Sequence, residues 1–316
     1  MKFMVMQKYV NLSRLMVVVA FSAIGLGFGN GLSTIAAETQ PANKTFGDWC
    51  REYASLNPEA RSTVELLLEK AGTVDCDAAN QKLSSLAYLV LSSSEITDIT
   101  PLQSLTRLTW IDLSYNKISD IKPLKSLTRL TRLELNDNQI SDIKPLESFT
   151  NLTRLNLDNN QISDIKPLES LNTLTWIELS NNQISDVKSL QSLTNLTELR
   201  LDNNQISDLK PLESLTKLIT LYLNNNQITD IQPLKSATNL INLYISNNKI
   251  SDIKPLQSLT KLTVLNIEKN QVSDIKPLQS FADLRYTYLG GNPIAPKTCP
   301  FQPDSMSRCI WELLNP

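Results

Sequence analysis

Carboxylate pairs are the first side chains of this sequence that could do chemistry. Asp112 and Glu134 lie 22 residues apart, at matching positions of a repeated segment, and paired carboxylates can divide acid and base roles when burial separates their properties. We expect both to stand on an open sheet, exposed to water and without that burial. The chain also has no histidine, the commonest general base and metal ligand, and no glycine-rich phosphate loop. The sequence therefore predicts no catalytic residues, no metal site and no cofactor.

Four cysteines are the other reactive side chains, and they come as two pairs near opposite ends of the chain. A disulfide needs Cα atoms within about 7 Å, so we expect pairing within each end and not across the chain. In an oxidising compartment such pairs form disulfides more readily than zinc sites. We predict the bonds Cys50–Cys76 and Cys299–Cys309.

The first 37 residues have the composition of an export signal. Lys2, Lys8 and Arg14 precede an apolar run, Leu15 to Phe28, which is followed by small residues around Ala36. The run is shorter than the roughly 20 residues that a membrane-spanning helix needs. We predict a cleaved signal peptide and a secreted or periplasmic protein without stable membrane insertion, with an uncleaved N-terminal anchor as the alternative. Removing three positive charges changes the net charge from −2 to −5, which argues against a nucleic-acid partner.

Residues 83–292 repeat one unit. Leucine recurs at every twenty-second position from Leu86 to Leu284, in ten copies without insertion. Each copy starts with a short segment in which apolar and variable residues alternate, which is typical of a strand. It continues with apolar residues at every third position. That spacing, with a proline such as Pro123, favours a tight 3₁₀-like return path over an α-helix. Ten such units can bury their leucines only by stacking.

The unit L-x-x-L-x-L-x-x-N-x-I-S-D-I-K-P-L resembles the 22-residue leucine-rich repeats of the internalin type. The resemblance implies an α/β-class leucine-rich-repeat solenoid: a curved right-handed coil with a concave parallel sheet and convex 3₁₀ turns. It also implies binding to proteins or other macromolecules. We divide the chain into a signal peptide (1–37), an N-terminal cap (38–82), ten repeats (83–292) and a C-terminal cap (293–316), with one disulfide in each cap.

Two polar columns recur with the repeat. Asparagines such as Asn116 and Asn182 are expected to turn inward and bond the backbone where each strand ends, as leucine-rich repeats of this kind do. Aspartates such as Asp120 are expected to accept backbone bonds in the following turn, with lysines such as Lys122 offsetting their repulsion. We interpret both columns as structural.

The outward positions of the strands vary while the framework stays constant, and they hold the predicted binding residues. Trp110, Arg132, Arg154 and Trp176 form one column with two interpretations: the arginines stack on the indoles, or they bind carboxylates or acidic sugars of a partner. Tyr222 and Tyr244 form a neutral patch. The complete predicted binding set is Trp110, Arg132, Arg154, Trp176, Tyr222, Tyr244, Tyr288, Glu134, Glu178 and Arg200.

Exposed tryptophan, tyrosine and arginine are the residues that protein interfaces prefer. We therefore predict a secreted, monomeric, non-enzymatic binding module with a protein partner on its concave sheet. A glycan ligand is one alternative. An extracellular structural or adhesion spacer without a specific ligand is the other.

Overall fold

Short parallel strands, one for each repeat, are the basis of the fold. The structure, a computed structural model, describes residues 44–301 and 309–312. Within these residues eleven strands form one parallel sheet in which spatial order follows chain order. The strands β1 to β11 are Tyr88–Val90, Trp110–Asp112, Arg132–Glu134, Arg154–Asn156, Trp176–Glu178, Glu198–Arg200, Thr220–Tyr222, Asn242–Tyr244, Val264–Asn266, Tyr286–Tyr288 and Cys309–Ile310.

The register of the sheet follows from the constant repeat length. Trp110 pairs with Arg132, Arg132 with Arg154 and Arg154 with Trp176, so that residues 22 apart are neighbours across the strands. Each position of the repeat therefore becomes a column of side chains spaced at about the 4.8 Å of strand separation.

The chain returns between strands β1 and β10 through 3₁₀ helices, which confirms the predicted return path. Proline lies in the first turn of most of them, where its missing N–H costs no hydrogen bond. Their bounds are Thr100–Ser104, Lys122–Ser126, Lys144–Ser148, Lys166–Leu168, Lys188–Ser192, Lys210–Ser214, Gln232–Ser236, Lys254–Ser258 and Lys276–Ser280.

The core lies between the sheet and the 3₁₀ turns and consists of leucine and isoleucine columns. Leu174, Ile177, Leu179, Ile184 and Leu190, all from one repeat, are completely buried. Each such side chain stabilises the stack by about 1.5–3 kcal/mol relative to exposure to water. A repeat without neighbours would lose most of that burial, which is why the unit is stable only as a stack.

The asparagine column completes the turn after each strand. Asn182 donates from Nδ2 to the carbonyl oxygens of Leu157, Leu179 and Ser180, at 3.0, 3.2 and 3.2 Å, and its Oδ1 accepts from the Ile162 N–H at 2.9 Å. The same pattern recurs along the column from Asn116 to Asn270, and these asparagines are buried. The inward-facing structural role predicted for this column is confirmed.

The aspartate column also acts locally. Asp120 Oδ1 accepts from the Lys122 N–H at 2.9 Å, and the equivalent bond recurs in each later repeat to Asp274. The ammonium group of Lys122 lies 3.9 Å from Asp120, at the limit of an ion pair, with both side chains exposed. The backbone bond is therefore the main contact of this column.

Between residue 44 and the first strand the chain forms three α-helices: α1 (Phe46–Arg51), α2 (Pro58–Ala71) and α3 (Cys76–Ser84). Helix α2 begins after Asn57, whose side chain accepts from the Ala60 N–H, and ends at Gly72 in the left-handed conformation that favours glycine. The Cys50–Cys76 disulfide joins α1 to α3. The Thr63 hydroxyl in α2 donates to the Asp98 carbonyl in the first repeat at 2.6 Å, which couples the helices to the stack.

At the other end, β11 pairs with β10, and Cys309 is bonded to Cys299. Both predicted disulfides are therefore present, with Cα separations of 5.5 and 5.8 Å. The predicted signal peptide and part of the C-terminal cap, residues 302–308 and 313–316, lie outside the described residues. None of the helices in the described part of the chain has the length and apolar character that crossing a membrane requires.

Candidate binding face

The outward side of the sheet has three columns of side chains, and the predicted binding residues lie in the first two. The first residue of each strand forms the first column, the third residue forms the second column, and the position two residues further on forms the third column. The structure places Trp110, Arg132, Arg154 and Trp176 next to one another in the first column. The framework beneath them is the same in every repeat, so the face differs between repeats only through these side chains.

Both central arginines of the first column stack on a flanking indole. The guanidinium carbon of Arg132 lies 4.9 Å from the ring centre of Trp110, and that of Arg154 lies 5.9 Å from the ring centre of Trp176. Arg132 also donates from Nε to Glu134 at 2.6 Å. Tyr88 continues the stack, with its ring centre 6.1 Å from that of Trp110. This geometry agrees with the stacking interpretation, in which the arginines interact with aromatic rings of the sheet itself.

Two carboxylates of the second column are buried, and the expectation that the open sheet leaves such groups in water is wrong. Glu134 and Glu178 are only 7% and 8% exposed. Arg132, two residues earlier on the same strand, bonds Glu134, and Arg200, on the adjacent strand, bonds Glu178. Burial raises the pKa of Glu178 to about 7, and the nearby Asp158 carboxylate adds to the rise.

Asp158 and Asp202 in the third column belong to the same group of acids. Asp158 accepts from the Ser180 N–H at 2.5 Å, and Asp202 accepts from the Asn224 N–H at 2.8 Å. Burial raises the pKa of Asp158 to about 6 and also raises the pKa of Asp202. We call Glu134, Asp158, Glu178 and Asp202 the acidic cluster.

Arg200 lies between the acidic cluster and the tyrosine patch. It donates to Glu178 at 2.9 Å and to Glu198 at 3.1 Å, and its guanidinium carbon lies 4.4 Å from the ring centre of Tyr222. The Tyr222 and Tyr244 rings are parallel within 2°, with centres 4.5 Å apart. Because Arg200 and Tyr244 come from the strands on either side, both faces of the Tyr222 ring are covered.

The structure does not bring every predicted residue together. Tyr288 is separated from Tyr244 by a complete strand, with Asn266 between them. It therefore extends the face but does not join the Tyr222–Tyr244 stack.

Two exposed aliphatic residues on the tyrosine-bearing repeats are not among the predicted residues. Ile219 and Ile241, which directly precede β7 and β8, are 42% and 37% exposed. Threonine occupies this position in most of the other repeats. The break in that threonine column was the sequence signal that could have identified them.

The comparisons with known proteins agree with this architecture. The family described as "Leucine Rich repeats (2 copies)" matches residues 106–143, 128–170, 172–214, 194–236 and 238–280. Curated protein sequences give no significant match to the chain.

Among solved structures, an internalin (inlF) from Listeria monocytogenes str. 4b F2365 is 34% identical, with a TM-score of 0.65, and the match covers 77% of this chain and 78% of that one. An internalin C2 (inlC2) from the same strain is 31% identical, with a TM-score of 0.57, over 72% of this chain and 92% of that one.

The ectodomain of the plant receptor kinase GASSHO1/SCHENGEN3 from Arabidopsis thaliana, in complex with CASPARIAN STRIP INTEGRITY FACTOR 2, is 22% identical, with a TM-score of 0.58. That match covers 75% of this chain and 31% of the receptor and shows the shared fold. The repeat family and the two Listeria structures carry the assignment: the chain belongs to the internalin-type family of leucine-rich repeat proteins.

Proposed function

We propose that this protein is a secreted, non-enzymatic binding module that recognises a protein partner on the outward face of its sheet. The observation that supports this most is the contrast between an invariant framework and variable outward columns, which hold stacked aromatic rings and arginines. Such residues, held rigidly, are the usual anchors of protein interfaces.

The family and fold agree with this role. The plant receptor ectodomain has the same fold and holds a partner in its structure. The two disulfides and the internalin-type repeats favour an extracellular or surface location. We also propose that residues 1–37 direct the protein to secretion or to the periplasm. The division into caps and repeats given above, and a monomeric state, are part of the same proposal.

The stacking geometry favours a protein partner over a glycan. A sugar ring packs against a free aromatic face, and both faces of Tyr222 are already covered by Arg200 and Tyr244. One face of Trp110 is likewise engaged by Arg132. A protein surface, in contrast, contacts ring edges and phenolic groups, which such a stack leaves available.

A capture experiment with matched baits tests this function. The purified protein is immobilised and exposed to extracellular proteins from its native source and to a glycan panel. Two variant baits replace either the Trp110–Arg132–Arg154–Trp176 column or the Tyr222–Tyr244 pair with alanine, and circular dichroism with thermal melting verifies that each is folded.

We expect a saturable protein ligand that is held by the unchanged bait and lost by at least one folded variant. Retention of a ligand by both variants would move the site off the outward face. The absence of any saturable ligand would favour the spacer alternative, and a glycan lost by a variant bait would favour the glycan alternative.

A further inference from the structure

Ile219 and Ile241 interrupt a regular column of hydrogen bonds. In neighbouring repeats the threonine hydroxyl at this position donates to the carbonyl oxygen one repeat earlier, at 3.0 to 3.3 Å, as for Thr131, Thr153, Thr175, Thr197 and Thr263. The isoleucines cannot make this bond and expose aliphatic surface instead. Single exposed aliphatic residues are common, but here two lie on adjacent strands, and the tyrosine pair follows three residues later on the same strands. The four side chains make up an apolar patch that Thr220 and Asn242 divide.

The polar groups at the outward positions of the same two repeats are already paired with one another. Asn242 donates from Nδ2 to the Thr220 hydroxyl at 3.2 Å, and Asn224 Oδ1 accepts from the Ser246 N–H at 2.8 Å. The outward positions of β7 and β8 hold no charged side chain. A partner that covers the outward positions of these strands therefore removes few unpaired polar groups and no ion from water. Because that cost is small, its apolar contacts can contribute to affinity.

The tyrosines of the patch are fixed before any partner arrives. Tyr222 is held between Arg200 and Tyr244, so little side-chain freedom is left to lose on binding.

Negative charge borders the patch on the side of β5 and β6. Glu178, Glu198 and Asp202 face a single cation, Arg200, which is bonded to two of them. A partner lying over β7 and β8 meets this net negative charge at its edge, and electrostatic complementarity requires a positive charge there.

We propose that the patch formed by Ile219, Ile241, Tyr222 and Tyr244 is the anchoring part of the interface. Its partner is a protein segment that presents an aliphatic or aromatic side chain to the patch and a lysine or arginine to its β6 border. This inference rests on the proposed function and specifies which part of the face is used and what the partner carries.

A random 12-residue peptide library displayed on phage, selected on the purified protein at pH 7.5, tests this proposal. The decisive variant is Ile219→Thr with Ile241→Thr, because it restores the residue found in neighbouring repeats and is expected to fold with an unchanged or slightly higher denaturation midpoint. The matched control, Thr131→Ile with Thr153→Ile, places the same aliphatic residues beside the charged strands β3 and β4.

We expect enriched peptides that combine an apolar residue with a nearby lysine or arginine, and at least tenfold weaker binding of their synthetic forms to the restored-threonine variant. The control variant should bind them as the unchanged protein does. Equal affinity for the restored-threonine variant, enrichment of peptides without a basic residue, or no enrichment would overturn the proposal. If capture in the earlier experiment succeeds while this selection fails, only the present inference falls.

Discussion

The strands β2–β6 and the strands β7–β8 share one backbone but use their outward positions differently. We call them the charged half and the neutral half. In the charged half, arginines are bonded to carboxylates and stacked on indoles of neighbouring strands. In the neutral half, two parallel tyrosines, two amides bonded to a threonine and a serine of the adjacent repeat, and two exposed isoleucines leave the outward positions without charge.

This difference shows that repeats with the same framework can carry outward surfaces that differ in what it costs to remove them from water. Ionic groups in the charged half satisfy one another at the cost of desolvation, which the raised pKa values of Glu178 and Asp158 express. The neutral half has no such cost and keeps its apolar area for contact with another molecule. The following predictions test that contrast, from the largest expected effect to the smallest.

The two halves should depend equally on the asparagine column. Asn182→Ala in the charged half and Asn226→Ala in the neutral half each remove four hydrogen bonds to buried backbone groups. We expect each to lower the free energy of unfolding by about 2–4 kcal/mol, because unpaired buried groups remain. Urea denaturation measures both. A large difference between the two variants would show that the framework itself, and not only the face, differs between the halves.

The two arginines of the first column should contribute unequally to the stability of the charged half. Arg132→Gln leaves the buried Glu134 without its cation and should destabilise the fold by about 1–3 kcal/mol. Arg154→Gln removes only an exposed stacking contact with Trp176, which is worth about 0.5–1 kcal/mol. Equilibrium unfolding at one pH compares the two. Equal losses would mean that the Arg132–Glu134 bond contributes nothing beyond stacking.

Stability should depend on pH through the charged half. The pKa of Glu178 rises from 4.5 to about 7 on folding, so the folded state holds an extra proton between these values and loses stability as pH rises through 7. Glu178→Gln should therefore raise the free energy of unfolding by about 1–2 kcal/mol at pH 8 and change it little below pH 4.5. This follows from about 1.4 kcal/mol per pKa unit, reduced for screening by solvent. Denaturation midpoints across pH 4 to 8 give the profile. The control is Glu198→Gln on the next strand, which should leave the slope in place.

A small effect is also expected at the residue that joins the two halves. Arg200→Lys keeps the positive charge but loses the planar group that bonds Glu178 and Glu198 and covers Tyr222. We expect a loss of about 1 kcal/mol and a change in the near-ultraviolet circular dichroism of the tyrosine pair. An unchanged tyrosine signal would indicate that the stack does not depend on Arg200.

The framework could be predicted from sequence because it depends on repeat length and residue type alone. A constant 22-residue unit fixes the register, and with it the columns of Asn182 and Asp120 and the 3₁₀ turns. The burial of Glu178 could not be predicted in this way, because it depends on how the side chains of neighbouring strands lie over it. Ile219 and Ile241 lie directly before β7 and β8, outside the outward columns, so the variation of those columns does not reveal them.

The asparagine bonds also give the stack a direction. The amide of Asn182 bonds Leu157 and Ile162 of the preceding repeat, so every turn is completed by the repeat that follows it. At the C-terminal end of the stack, Asn292 does this for Ile267 and Val272. A stack shortened from its N-terminal side keeps all remaining turns complete, whereas one shortened from its C-terminal side ends in an open turn. Fraying should therefore begin at the C-terminal end, and the array can lengthen by whole units because each new repeat brings the group that its predecessor needs.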